Sequence, residues 1–283
     1  MSSAAKGAWW MIAAAAALTA MAICIRYLPA YSVLLMIFLR NVINLGLMAP
    51  SVLKQGKSVY KTERLGMHAL RNVFLYSGNV AWFYGVTLIA LADVATLQFT
   101  SPLFTALIAA VFLGERIGGH RMVAILVGFA GAVIIIRPGM VPIETGTLVI
   151  LLAAFLYSAA HVVTKRLSDT ESGSTVVFYM SVTILVYSAI PAFFVWKTPE
   201  LADLPAIIGL GVTGYATHYC ITRSLAEGDA SFVIAFDFMR LPFSAILGWM
   251  LFREVLDFWT CFGALIIFAA GYYTTVREAK AEP

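Results

Sequence analysis

The chain has 283 residues, of which 61% are hydrophobic and only 12% are Asp, Glu, Lys or Arg, and its formal net charge is +4. Soluble domains have about 45–50% apolar and about 25% charged residues, so a soluble enzyme, a nucleic-acid binder and a disulfide scaffold all fit poorly. The three cysteines are far apart and form no Cys-x-x-Cys motif, so neither a zinc site nor a redox pair is predicted.

Ten apolar segments are long enough to predict ten membrane-spanning helices. With boundaries good to a few residues, they cover 8–26, 31–50, 68–89, 93–113, 120–137, 146–164, 174–196, 204–222, 230–252 and 257–276. The loops between them are mostly short, which leaves no room for a soluble domain. The first segment, with Lys6 before it, also resembles a cleavable signal peptide, but the repeat described below favours a membrane helix.

Lys and Arg residues are concentrated in the loops on one side of the predicted membrane. If both termini are cytoplasmic, twelve fall in cytoplasmic segments and four in outer segments, while Arg40, Arg71 and Arg240 lie within or at the edge of helices. Cytoplasmic loops of membrane proteins carry an excess of basic residues. We therefore expect both termini in the cytoplasm and the protein in the inner (plasma) membrane.

The chain repeats itself at an offset of 139 residues. This offset aligns Tyr76 with Tyr215, Asn79 with His218, Gln98 with Asp237, Ser101 with Arg240, and Glu115 with Glu254. Each unit has five predicted helices, an odd number, so the second unit enters the membrane inverted relative to the first. The predicted fold is all-α, with ten transmembrane helices as two inverted five-helix repeats, 1–139 and 140–283, and a substrate site between them.

Two stretches resemble EamA-type members of the drug/metabolite transporter superfamily. Residues 93–102, continuing to Glu115, are similar to the family's fourth helix, and residues 235–240, continuing to Glu254, are similar to its ninth. Arg253 departs from the pattern, since the family usually has Gly before Glu254. The two glutamates are expected to join the next helix.

The resemblance implies a ten-helix carrier whose cavity is lined by helices 1–4 and 6–9, with helices 5 and 10 packed behind. Members of the family move amino acids, nucleotide-like compounds, vitamins and drugs, often outward. The resemblance therefore favours export of a small metabolite.

Charged residues inside the predicted spans are candidates for substrate contact, because burying a charge in a membrane is costly. Arg40 cannot lose its proton, so it needs either a substrate anion or a fixed partner such as Asp237. Asp237 and Arg240 share one helical face, where they either bind a substrate's amine and anion or neutralise each other. Arg40 and Arg240 against Asp237 alone give the predicted site a net charge of +1, which favours a substrate with at least one negative group.

Polar and aromatic residues of four helices complete the predicted substrate site. They are Tyr76, Asn79 and Trp82 of helix 3, Gln98 of helix 4, Tyr157 and His161 of helix 6, and Tyr215 and His218 of helix 8. Spacings of three and four place each set on one helical face, and an aromatic wall suits planar or amphoteric substrates. The alternatives are packing or interfacial roles for the aromatic residues and hydrogen-bonded packing, rather than a proton relay, for the histidines.

We therefore predict a secondary transporter, not an enzyme, that moves amino-acid-like or other carboxylate-bearing metabolites by alternating access. An intramembrane enzyme or a channel is the alternative, although the chain has no HExxH, GxSxG or ATP-binding GxxxxGK[ST] motif. No cofactor, metal site or nucleic-acid partner is predicted. The expected partners are a small-molecule substrate and membrane lipid, and the sequence permits a homodimer.

Energy coupling follows from the same charge count. Only one intramembrane acid, Asp237, is present, and two arginines are there to neutralise it. We therefore expect a facilitator or an exchanger rather than a proton-driven carrier.

Overall fold

The computed structural model describes residues 3–55, 62–114, 119–137, 139–140, 143–168, 170–171, 173–227, 233, 235–255 and 257–281, and these ranges contain no β-strand. The helices, in chain order, are α1 (Ser3–Arg26), α2 (Val33–Gln55), α3 (Leu65–Leu88), α4 (Leu91–Gln98), α5 (Ser101–Leu113), α6 (Gly119–Ile136), α7 (Thr145–Ser168), α8 (Gly173–Phe194), α9 (Leu204–Glu227), a 3₁₀ helix (Ala235–Met239), α10 (Arg240–Phe252) and α11 (Phe258–Ala281). With α4–α5 and the 3₁₀ helix–α10 each taken as one interrupted span, these elements match the ten predicted spans.

Five helical segments of the described residues are long and apolar enough to cross a membrane by length and composition. They are Ala5–Arg26, Val33–Pro50, Leu91–Leu113, Thr145–Leu167 and Thr175–Phe194. Shorter apolar stretches lie in α6 (Met122–Ile136) and α11 (Phe258–Ala270). The helices α3 and α9 do not reach this threshold, and polar residues occur along both, including several that are buried.

The two halves have the same helix register and interlock. α3 and α9 begin and end 139 residues apart, as do α5 and α10, and α6 and α11 begin at this offset too. α1 packs along α9, and α3 packs along α7. At the repeat offset α1 corresponds to α7 and α3 to α9, so these are equivalent interfaces. Each of them joins one half to the other, as inverted repeats require.

Both halves interrupt one span near its middle. α4 ends at Gln98, and the amides of Phe99 and Thr100 bond only three residues back before α5 begins. Pro102 follows and has no N–H to continue the α-helical ladder. In the second half the equivalent segment is the 3₁₀ helix, followed by Pro242.

The two interruptions meet at the centre of the molecule. The rings of Phe99 and Phe238, which correspond at the 139-residue offset, have centroids 4.2 Å apart. The pseudo-two-fold axis therefore passes between them. The predicted continuous helices over 93–113 and 230–252 are wrong at these breaks, because apolar composition does not register the lost backbone hydrogen bonds. Residues 230–232 and 234 lie outside the described residues.

α5 and α10 end in the same backbone conformation. Gly114 and Arg253, which correspond at the repeat offset, have φ of 68° and 59°. This left-handed conformation costs a residue with a side chain about 1 kcal/mol, which is why glycine is usual there. In α10 the amides of Arg253 and Glu254 bond to carbonyls of Trp249 and Gly248, so the chain turns back toward the helix.

Substitutions at these two helix ends are expected to change the stability of the protein in opposite directions. Arg253→Gly is expected to raise the free energy of unfolding by about 0.5–1 kcal/mol, because the Arg253 side chain is exposed and makes no hydrogen bond or ion pair with any described residue, while its amide bond to Trp249 is kept by glycine. Gly114→Ala is expected to lower it by about 1 kcal/mol through backbone strain alone, since a Cβ there meets no atom of the described residues within 4 Å. Unfolding in detergent measures both. A destabilised Arg253→Gly protein contradicts this account.

Candidate substrate-binding site

Arg40 lies near the middle of α2 and is buried against α3 and α9. It is 7% exposed, and its aliphatic chain lies against Gly214, where a Cβ would come within 3.3 Å. Nη1 donates to Asn79 Oδ1 at 3.3 Å, and the guanidinium lies 5.0 Å from the centre of the Phe83 ring. Among the described residues no carboxylate pairs with Arg40, so its positive charge has only neutral neighbours.

Neutral polar side chains surround Arg40. The Tyr157 hydroxyl donates to Asn79 Oδ1 at 3.1 Å, so α7 helps to hold the amide that receives Arg40. Three buried polar atoms beside Arg40 have no hydrogen-bond partner among the described residues, namely Arg40 Nε, Asn41 Nδ2 and Asn44 Oδ1, and the same holds for the Tyr76 hydroxyl, one turn before Asn79 in α3. Buried polar groups left unpaired are costly. The cluster therefore contains donors and an acceptor that no described residue satisfies.

Asp237 and Arg240 form a second charged group, at the break before α10. Arg240 Nη2 lies 2.5 Å from Asp237 Oδ2, and its guanidinium lies 4.9 Å from the centre of the Phe99 ring. The structure thus shows self-neutralisation of this pair and not the alternative pairing of Asp237 with Arg40. Of the three charged residues predicted for the site, Arg40 is therefore the one that no described acid neutralises.

A small cavity lies beside Arg240, with room for about one water molecule. It is lined by α1, α3, α4 and α10, including Thr19, Trp82, Gln98 and Ser244. Gln98 Nε2 and Arg240 Nε are both buried without a partner. Trp82 lines this cavity, whereas the adjacent Phe83 lies under Arg40, so α3 separates the two charged groups.

The contacts between chain segments define two faces of the bundle. On the N-terminal face, Ser3 donates to Glu227, and Thr62 donates to Glu171. On the opposite face, the Tyr31 hydroxyl donates to Asp203 at 2.7 Å, and Arg26 pairs with Glu254. These faces are the two ends through which a ligand would reach the centre.

His161 and His218 are placed on the N-terminal side of the Arg40 cluster. Both side chains are exposed, yet both lie within electrostatic range of the buried Arg71, and His218 also lies within range of Arg40. They therefore line an open space between Arg40 and the N-terminal face. Tyr215 stacks on Tyr219 at a centroid distance of 6.1 Å.

Glu254 closes the opposite face. Its carboxylate pairs with Arg26 and accepts the Leu91 N–H at 2.9 Å. Arg26 Nε also donates to the Val86 carbonyl at 2.9 Å. A Cβ at Gly248 would clash with the Glu254 carboxylate, so the missing side chain makes room for it. The expectation that Glu254 joins the following helix is wrong, because it connects the ends of α1, α4 and α10. Glu115 lies outside the described residues.

Sequence reasoning missed Arg71, Asn41 and Asn44 as parts of the central region. The third span was predicted to begin at residue 68, so Arg71 counted as a helix-edge residue, whereas α3 begins at Leu65. A signal was present in the sequence, because Arg-Asn occurs twice inside spans. In both pairs the arginine donates to the asparagine that follows it.

Within the described residues, ten spans form two interlocked inverted repeats, and Arg40 lies between the halves with no acid to neutralise it, which is the architecture of a membrane transporter. The EamA-like transporter family matches residues 5–137 and again residues 144–276. The two matches begin 139 residues apart, which is the offset that aligns the helices. The chain belongs to the EamA-like transporter family.

Curated relatives in this family are named as transporters of small metabolites. The chain is 31% identical over 232 residues to an S-adenosylmethionine uptake transporter of Rickettsia bellii, covering 82% of this chain and 80% of the relative. It is 30% identical over 256 residues to a riboflavin transporter of Brucella anthropi, covering 86% and 87%. It is 29% identical over 240 residues to the pseudopaline exporter CntI of Pseudomonas aeruginosa, covering 83% of each chain.

A solved crystal structure is similar to the whole chain. Its TM-score is 0.66, it covers 99% of both chains, and its sequence identity is 18%, so it supports the fold alone. The family and the named relatives together establish a membrane transporter of small metabolites, not an enzyme.

Proposed function

We propose that the protein moves an amphoteric metabolite with a carboxylate and a planar part across the inner membrane by alternating access. The observation that carries this proposal is Arg40, which is buried at mid-span and has no carboxylate partner among the described residues. An arginine at the centre of a membrane helix costs about 2.5–3.5 kcal/mol on insertion scales. A substrate carboxylate would offset that cost through charge-assisted, two-point hydrogen bonding.

The unpaired atoms around Arg40 match an amphoteric ligand. Arg40 Nε and Asn41 Nδ2 are donors suited to a carboxylate, while Asn44 Oδ1 is an acceptor suited to an ammonium group. The Tyr76 hydroxyl can serve either group. One cluster thus supplies partners for both ends of an amino-acid-like group.

The half-buried Tyr157 ring beside the cluster is the surface that we propose for a planar part. It packs against Gly78, where a Cβ would come within 3.0 Å, whereas Phe83 is fully buried under Arg40 and supports the guanidinium. S-adenosylmethionine, named for the Rickettsia relative, has a carboxylate, an amine and a purine ring, which makes it the first compound to test. The relatives' names include both uptake and export. We retain export as our proposal for direction, with transport by facilitation or exchange.

The experiment is counterflow in liposomes that contain the purified protein. Liposomes preloaded with unlabelled S-adenosylmethionine are expected to accumulate labelled compound transiently and chemically unchanged, and the flux should saturate. Accumulation above equilibrium that follows an imposed pH gradient at clamped potential would contradict facilitation or exchange. Flux without saturation or counterflow would indicate a channel, and a chemically altered label an enzyme; either outcome overturns the proposal. Export is tested by comparing rates from the two sides.

We also propose that both termini lie in the cytoplasm, from the distribution of basic residues. Most of the bias comes from the segment 54–64, part of which lies outside the described residues. In a protein with Cys24, Cys220 and Cys261 replaced by Ser, cysteine at Lys197 should react with an impermeant reagent in intact cells. Cysteine at the exposed Arg64 should react only after the membrane is permeabilised. The reverse pattern would invert the topology.

A further inference from the structure

We propose that Arg71 forms a second anion-binding site, between Arg40 and the N-terminal face, that binds the substrate carboxylate before it reaches Arg40. The inference rests on the proposed function of the Arg40 cluster and adds a path to it. The proposal gives a role to Arg71, a buried charged residue that makes no contact within the Arg40 cluster.

Arg71 is held in α3 by neutral groups. It is 9% exposed. Its Nε donates to Thr164 Oγ1 at 2.9 Å and its Nη1 donates to Asn72 Oδ1 at 3.1 Å. Asn72 in turn donates to the Tyr179 carbonyl at 3.2 Å, which fixes the amide. Nη2 has no hydrogen bond to any described residue, so one edge of the guanidinium remains free to bind a ligand.

No acid neutralises Arg71 within the part of the chain that the structure describes. Glu171, an acidic group on the same face, accepts the Thr62 hydroxyl at 2.5 Å and makes no ion pair with Arg71. His68, one turn earlier in α3, is 1% exposed, and both of its ring nitrogens are buried without a partner. This end of α3 therefore has a buried cation and unpaired polar atoms, but no counter-ion for Arg71.

The two arginines lie along one interface. Arg71 contacts Thr164 of α7, and eight residues later Asn79 of α3 joins Tyr157 of α7 to Arg40. At a rise of 1.5 Å per residue, these contact points are about 12 Å apart along α3. A carboxylate released from one arginine thus has a short distance to travel to the next.

Two exposed side chains lie between these points. His161 follows Tyr157 by one turn of α7 and precedes Thr164 by three residues, so it faces the same interface. His218 extends from α9 and lies within electrostatic range of both arginines. The space that joins the two sites is therefore accessible and is flanked by two positive charges that no described acid pairs with. Such a space attracts negatively charged groups, here the carboxylate end of the substrate.

The first test measures the local potential without any substrate. In the cysteine-free protein with His161→Cys, we compare modification rates by an anionic sulfonatoethyl and a cationic trimethylammonioethyl methanethiosulfonate. The anion-to-cation ratio, normalised to the ratio at Lys197→Cys, is expected to fall about fivefold in Arg71→Gln and to persist in Arg71→Lys. Arg223→Gln is the matched control, because Arg223 is exposed and paired with Glu227. An unchanged ratio in Arg71→Gln, or an unreactive cysteine, overturns the proposal.

The second test separates binding from packing. Arg71→Gln is expected to raise the KM for S-adenosylmethionine about tenfold when it is presented on the N-terminal face, and to change it less than twofold from the other face. If Arg71 only packs α3 against α7, Arg71→Lys will raise the KM as much as Arg71→Gln does. The increase will then be the same from both faces, and this result refutes the inference. If the unmodified protein does not transport this compound, the proposed substrate is wrong, and the cysteine rates still decide the role of Arg71.

Discussion

Arg40→Ala is expected to abolish ligand binding while leaving the protein as stable as the parent or more stable. No described carboxylate loses a partner when Arg40 is removed, and a membrane helix sheds a charge that costs about 2.5–3.5 kcal/mol. In the parent protein, S-adenosylmethionine at 100 times its Kd should raise the free energy of unfolding by about 2.7 kcal/mol. In Arg40→Ala the same concentration should give no shift. Thermal unfolding in detergent measures both quantities together.

Two further variants make this prediction specific. Arg223→Ala removes an exposed arginine and should keep the full ligand-induced shift. The double variant Arg40→Ala, Asp237→Ala should not recover binding, because Asp237 pairs with Arg240. Recovery in the double variant would mean that Arg40 serves only to neutralise Asp237. That result, or an unchanged shift in Arg40→Ala alone, would refute substrate contact.

Glu254→Ala is expected to destabilise the protein by about 2–4 kcal/mol, the cost of breaking a largely buried ion pair and its hydrogen bonds. The side chains of Arg26 and Glu254 are each 16% exposed, so the substitution leaves Arg26 without its counter-ion. It also leaves the Leu91 N–H without its acceptor. Chemical denaturation in detergent measures the loss.

The same substitution should open the opposite face. Ser244 is buried beside the small cavity. A cysteine at this position should therefore react at least about tenfold faster with an impermeant thiol reagent in the Glu254→Ala protein. A tenfold change in rate corresponds to a loss of about 1.4 kcal/mol in the free energy that holds this face closed. Glu200→Ala is the control, because its ion pair with Lys197 on the same face is exposed and is worth less than about 1 kcal/mol. Equal stability losses in the two variants would show that Glu254 does not hold this face closed.

Much of the architecture was predictable because it depends on local composition and on the repeat. Apolar length indicates spans, and an odd number of spans in each unit indicates inversion. The spacing of Asp237 and Arg240 placed them on one face, and they form an ion pair. The cost of a buried charge singled out Arg40, which the structure places at mid-span with no counter-ion among the residues that it describes.

The rest depends on contacts between distant parts of the chain. Nothing in the pattern of α3 shows that it packs on α7, so the bond from Arg71 to Thr164 could not be foreseen. The partner of Glu254 was mistaken for the same reason, because Arg26 is remote in sequence. The helix breaks before Pro102 and Pro242 were missed because each segment was assigned by its apolar length, and the polar residues at the breaks were interpreted only as candidates for the site.

During synthesis, α3 leaves the ribosome well before α7, the helix that satisfies its polar side chains. Until α7 arrives, Arg71 lacks Thr164 and Asn79 lacks Tyr157, and lipid cannot replace either partner. We therefore expect the first half to remain at the translocon, or at its edge, while the second half is being made. Assembly then proceeds by pairing α3 with α7 and α1 with α9, and a fragment released after α6 would expose its polar helix to lipid and to membrane quality control.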